Sequence, residues 1–227
     1  MANLVAAVVF FLGIHFGVSG TALRGRLVKL VGEKAFRGLF ALASIAGLIW
    51  LIRAYSTAPY IPMWGRLIEL EALAPPLMLI AALFVVVGVS TPSPTTAGME
   101  SQLTRAVQVR GITRITRHPF LWGVALWAFV HLVINGDVAA ALVFGSLLLL
   151  AVVGTSSIDA KRRHAYGERW ELFSRETSNV PFAAILQRRN HLWPALREIG
   201  IVRPLIAIAV FIALFLLHGR LFGVPLT

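Results

Sequence analysis

Apolar residues in this chain gather into blocks rather than alternating with polar ones. Six blocks, 3–20, 37–55, 71–91, 119–135, 138–157 and 201–219, are nearly free of charge. A helix needs about 20 mostly apolar residues to cross a bilayer, so the pattern predicts an all-α polytopic membrane bundle of about six transmembrane helices. The fourth block is short for a full crossing. In the third, Pro75-Pro76 must kink the helix or mark its true start. Residues 159–200 read differently, because Trp170, Phe173, Phe182, Leu186, Leu192 and Trp193 punctuate a polar background. That spacing predicts a cytoplasmic amphipathic segment on the inner leaflet or capping the bundle. "NGD", 135–137, predicts a tight turn with Asp137 capping the next helix. "TPSPTTAGMES", 91–101, predicts a flexible loop. The first block lacks the basic lead of a secretory signal and is read as a retained helix.

Composition supports the membrane reading. Of 227 residues, 58% are hydrophobic and 14% charged, where a soluble domain carries about a quarter charged. A single domain over 1–227 is expected. With no cysteine, disulfides, thiolate nucleophiles and iron–sulfur clusters are excluded, and a metal would fall to His, carboxylate, Met or backbone groups. No histidine pair carries zinc spacing.

The net charge of +11 would suggest nucleic acid in a soluble protein, but no nucleic-acid motif is present. The basic residues instead flank the apolar blocks. Arg24, Arg26, Lys29, Lys34 and Arg37 cluster at the first connection, Arg105, Arg110, Arg114 and Arg117 at the third, and eight basic residues from Lys161 to Arg197 at the fifth. The second connection is poor in positive charge and the fourth has none. Rich, poor, rich, none, rich places both termini outside and the three basic connections in the cytoplasm, with anionic lipid a natural neighbour.

Orientation converts helix rise into depth. At 1.5 Å per residue, His15 lies roughly 7 Å from the inner boundary and His118 at it, while His131 lies about 20 Å further out. His218 is near the outer face. Two axial histidines on one iron need nitrogens about 4 Å apart, so His118 and His131 cannot share an iron on a regular helix. The 7 Å between His15 and His118 is bridgeable by tilt and side chains. An ionisable residue inside a span is a functional candidate by default. His118 precedes Pro119, which suits the first position of a helix, and beside Arg117 it forms a candidate anion site. His131 could equally hydrogen-bond across the bundle.

"HFGVSGTALRGRLVKLVGEKAFRGLFALAS" and "GITRITRHPFLWGVALWAFVHLVINGD" with its continuation to "SSIDAKRR" resemble the NnrU family of bacterial membrane proteins, named for a link to nitrite and nitric oxide reduction. That family is similar to zeta-carotene isomerase, a membrane enzyme whose haem b is held by histidine. The resemblance implies haem b on His15 and His118, with His131 third, and Arg114 and Arg117 against the haem propionates. It implies a place in the bacterial inner membrane, nitric oxide or a lipophilic polyene as ligand, and isomerase-like redox chemistry. Two other readings stay open. "RHPFLWG" followed by "DAKRRHAYGERWELFSRETSNVPF" is similar to isoprenylcysteine and phospholipid methyltransferases. Arg117 and His118 would then hold the carboxylate of S-adenosylmethionine near Asp159 and Arg163. The basic fifth connection could instead dock a respiratory reductase in a non-catalytic assembly role.

Overall fold

In the computed structural model, residues 1–96, 98–99 and 109–223 are described. Arg105 and part of the 91–101 stretch lie outside them. The helices are α1 (Ala2–Leu12), α2 (Leu23–Val31), α3 (Glu33–Ser56), α4 (Ile68–Glu71), α5 (Ala74–Ser90), α6 (Pro119–Asn135), α7 (Val138–Tyr166), α8 (Glu168–Glu176), α9 (Ala183–Leu186), α10 (Leu192–Ile199) and α11 (Val202–Phe222). No strand forms among the described residues; Pro62 and Asp137 make one isolated antiparallel bridge.

Four helices are long and apolar enough to cross a membrane: Ala2–Ser19, Glu33–Ser56, Val138–Tyr166 and Val202–Phe222. Ala74–Ser90 and Pro119–Asn135 are apolar but only 17 residues each. All six expected blocks are therefore helical, and four have spanning length. The proline pair resolves as a start: Pro75 and Pro76 occupy the first turn of α5, where a missing N–H costs no helix bond. Helix α7 runs nine residues past the expected end at 157, because the Asp, Ala, Lys and Arg after the apolar block do not break a helix.

The chain forms two compact units. The first comprises Met1–Glu71 and Ala128–Leu150. In it, Leu4, Ala7, Val8 and Phe11 make the buried stripe of α1, at the 3–4 spacing of one helix face. It packs on α3, where Gly47 lets the Phe10 and Phe11 rings approach so closely that an added Cβ would sit 3.0 Å from Phe10. Trp50 Nε1 donates to Asn3 Oδ1 at 3.0 Å across the same pair. Beyond Leu12 the coil widens into a π-helical segment, Gly13–Ser19.

Elsewhere in this unit the N–H groups of Met63, Trp64 and Gly65 donate to Gly136 O. Asp137 Oδ1 accepts from Ala139 and Ala140, so it caps α7 as the turn chemistry requires. Gly136 has φ +60°, and a Cβ there would lie 1.9 Å from Gly65 O, so only glycine fits.

The second unit comprises Ala72–Trp127 and Ala151–Thr227. Helix α5 packs against α11 and, at the N-terminus of α6, meets Pro119 and Phe120 through Gly88. Gly123 brings α6 within 2.8 Å of Ala81 O, measured from where its Cβ would stand. Of the aromatic residues expected at the leaflet or capping the bundle, Trp170 and Phe173 are buried in this unit with Val109. Trp193, Leu186, Phe182 and Leu192 are exposed. Of the two alternatives the inward one holds for α8: the helix is amphipathic, and its apolar face, Trp170 and Phe173, packs against the protein. The described part of the 91–101 stretch is also ordered. Thr91, Ser93 and Thr95 are buried, and Thr95 Oγ1 donates to Arg117 O.

Candidate functional site

A 3-10 turn, Gly111–Arg114, leads into the short segment 115–118 that precedes α6. Its backbone lies along residues 178–182: Arg117 N–H donates to Ser178 O at 2.9 Å, and Phe182 N–H donates to Ile115 O at 2.8 Å. Thr116 Oγ1 and Trp122 Nε1 both donate to Asn179 O. Held this way, Arg117 and His118 converge on Asp159 of α7. His118 Nε2 donates to Asp159 Oδ1 at 2.6 Å. Arg117 donates to Asp159 Oδ2 through Nη2 at 2.6 Å and Nε at 3.0 Å. Asn179 Nδ2 donates to the same oxygen at 3.2 Å.

This knot is closed. The side chain of His118 is 1% exposed and those of Arg117 and Asp159 are 12% and 10%. One carboxylate and one guanidinium cancel, and His118 enters as the neutral donor. Burial pushes its imidazole below the usual histidine range, against the opposing pull of Asp159. The Arg117 guanidinium also lies 5.5 Å from the Trp170 ring centroid.

Arg114 makes a second knot. Its Nε and Nη2 grip Glu198 at 2.9 and 2.8 Å, a bidentate fork, and Nη1 donates to Asn190 Oδ1 at 3.0 Å. Gly111 N–H donates to Glu198 Oε2 at 2.6 Å. The Arg114 hydrogen bonds hold the Glu198 carboxyl below its usual range. The two arginines expected at haem propionates are thus each placed on a carboxylate of the chain; of the groups expected around S-adenosylmethionine, Arg117, His118 and Asp159 hold one another and Arg163 pairs with Glu171.

His15 belongs to the first unit. It sits in the π-helical segment, half-buried, with its ring 4.4 Å from Phe11 and 5.3 Å from Phe40. Its Nδ1 donates to Phe11 O at 2.7 Å, since a carbonyl can only accept. That fixes the tautomer and leaves Nε2 with its lone pair, the form of imidazole that binds a metal. His131, also in the first unit, stacks on Phe144 at 4.7 Å. Among the described residues no group of three or more His, Asp or Glu gathers as for a bare metal ion.

Asn179, Asn190 and Glu198 were missed by reading the sequence. A signal existed: with 21 basic and 10 acidic residues, each carboxylate is contested, and Glu198 is the single one after Glu176.

Residues 3–226 match the model of the NnrU protein family. The chain is 28% identical to 15-cis-zeta-carotene isomerase, chloroplastic, of Arabidopsis thaliana, over 83% of its length and 52% of that protein's. To the maize (Zea mays) protein of the same name it is 35% identical, over 36% of this chain and 22% of that one. It therefore spans about half the length of the first relative and about a fifth of the second. No solved structure matches it.

Proposed function

This chain belongs to the NnrU protein family, and on that footing we propose that it is a membrane isomerase of a lipophilic cis-polyene, of the class named by its carotene-isomerase relatives, with haem b held by His15. It would sit in a bacterial inner membrane with both termini periplasmic. The observation that carries the reading is His15, an imidazole inside a candidate span whose Nδ1 is spent on Phe11 O and whose Nε2 is not needed to fix its tautomer. The similarity to 15-cis-zeta-carotene isomerase over 83% of the chain supplies the reaction class.

The residues fit the group unequally. His15 would hold the iron through Nε2, its Nδ1 being committed to Phe11 O. His118 is buried, and its Nε2 would reach iron only after leaving Asp159. His131 remains a candidate beside it. Bound haem b would supply a one-electron centre able to take nitric oxide, which would link the protein to denitrification. The chain's own contribution is to orient His15 through Phe11 and to seat its ring between Phe11 and Phe40, in surroundings suited to a hydrophobic substrate.

The test is the visible spectrum of the purified full chain, oxidised and dithionite-reduced, followed by incubation with 15-cis-zeta-carotene and separation of isomers. We expect a Soret band with resolved reduced α and β bands, loss of both in His15→Ala, and conversion of the carotene. A protein that stays colourless with hemin rejects the haem assignment. A coloured protein that leaves the carotene unchanged rejects the substrate.

A further inference from the structure

We propose that the cleft between α8 and residues 177–189 binds the phosphate of an anionic phospholipid headgroup. The cleft has a volume of about 540 Å³ and is walled by four arginines, Arg117, Arg163, Arg175 and Arg189. No carboxylate lines it among the described residues. Two of the four charges are answered elsewhere: Arg117 by Asp159 and Arg163 by Glu171. Arg175 and Arg189 have no ion pair among the described residues.

Arg189 is nevertheless held in place. Its Nε donates to Gln187 Oε1 at 2.9 Å, and its Nη1 to Arg175 O and Thr177 O at 2.5 and 2.8 Å. All three partners are neutral. An oriented guanidinium beside a second cation, both facing an open cleft, is a site built for an oxyanion with two or more acceptor oxygens. Arginine matches phosphate geometry through paired N–H groups.

The surroundings select a lipid source. Val180, which lines the cleft, is 56% exposed, and Leu186 on the same segment is 81% exposed. Phe182 is held on the surface at φ +66°, a left-handed conformation that is costly for a residue with a Cβ. Its N–H is committed to Ile115 O. Arg163 stands in the last turn of α7, a helix of spanning length and hydropathy. Large apolar side chains beside a basic cleft, at the end of a membrane helix, describe the level of the headgroups. This inference rests on the membrane reading alone and is independent of the isomerase reading.

The test titrates the full chain in detergent with dihexanoyl phosphatidylglycerol, dihexanoyl phosphatidylcholine and inorganic phosphate, read by native mass spectrometry. Phosphatidylglycerol should bind saturably and at least about tenfold more tightly than phosphatidylcholine, whose choline cation meets the arginines. Arg175→Gln should weaken phosphatidylglycerol about tenfold, the loss of one charge-assisted hydrogen bond. Arg189→Gln should do at least as much, but Arg189 also braces Arg175 and Thr177, so Arg175→Gln is the decisive variant. Equal affinity for the two lipids, or unchanged binding in Arg175→Gln, overturns the proposal. Inorganic phosphate binding as tightly as phosphatidylglycerol overturns the lipid source and assigns the cleft to a soluble anion.

Discussion

Asp159 is the residue on which the second unit turns. It accepts from His118, Arg117 and Asn179 at once, so its removal leaves a buried guanidinium without an anion. Asp159→Asn should cost about 3–5 kcal/mol, the penalty for breaking a buried ion pair from one side, read as a lowered unfolding midpoint in mixed micelles. An unchanged midpoint would mean water reaches Arg117. The acid response follows from His118. Because burial lowers its folded pKa, the unfolded chain takes up the proton first as pH falls through about 6.5. The contribution is therefore complete above that value and is lost on acidification. Thermal midpoints between pH 7.5 and 5.5 should fall in the native chain and fall less in His118→Gln, which keeps a donor for Asp159. The sequence singled out Arg117, His118 and Asp159 from motif and depth. The methyltransferase resemblance set Asp159 near Arg117 and His118 around a cofactor, but their direct pairing was not legible, because forty residues separate His118 from Asp159. Arg114 was legible as important, but its Glu198 partner was not, since Glu198 lies 84 residues away.

The helices show where local chemistry is decisive. Helix α6 begins and ends where expected, 119 to 135, because Pro119 sets its start and Asn135-Gly136-Asp137 its stop. Hydropathy undershot α7, since the apolar block ends before the helix does. It also left open whether Trp170 meets lipid or caps the bundle, because an amphipathic period reports that one face is apolar and not what that face meets. Close packing rests on small residues. Gly123→Leu should unfold or misassemble the contact of α6 with α5, where even a Cβ would stand 2.7 Å from Val85 Cγ2. Gly145 has nothing within 4 Å of an added Cβ, so Gly145→Ala should be neutral or stabilising by up to about 1 kcal/mol. Midpoints and yields of the two variants in the same detergent make the comparison, and equal behaviour would reject the packing argument.

At the scale of the whole molecule, exposure and charge answer to lipid. Many of the largest exposed side chains are apolar and lie on α3, α7 and α11, as for a surface that meets acyl chains. The alternating charge of the connections predicts sidedness, and the absence of cysteine makes the test clean. Tyr60 and Arg169 are both exposed, in the second connection and in α8. Tyr60→Cys should react with an impermeant maleimide in spheroplasts, and Arg169→Cys only after lysis. The reverse pattern would invert the topology.

The π-helical segment has a consequence at the level of the gene. A π turn holds an extra residue within a helix that otherwise keeps its hydrogen bonds. Deleting the codon for Val18, downstream of His15, would let the segment close into an α-helix. The bond from His15 to Phe11 lies upstream and would be kept, and because the π turn had absorbed the extra residue, the chain after the deletion would keep nearly its original direction. A single in-frame codon is thus the smallest heritable change that would keep His15 and its tautomer yet remove the widened turn in which it sits.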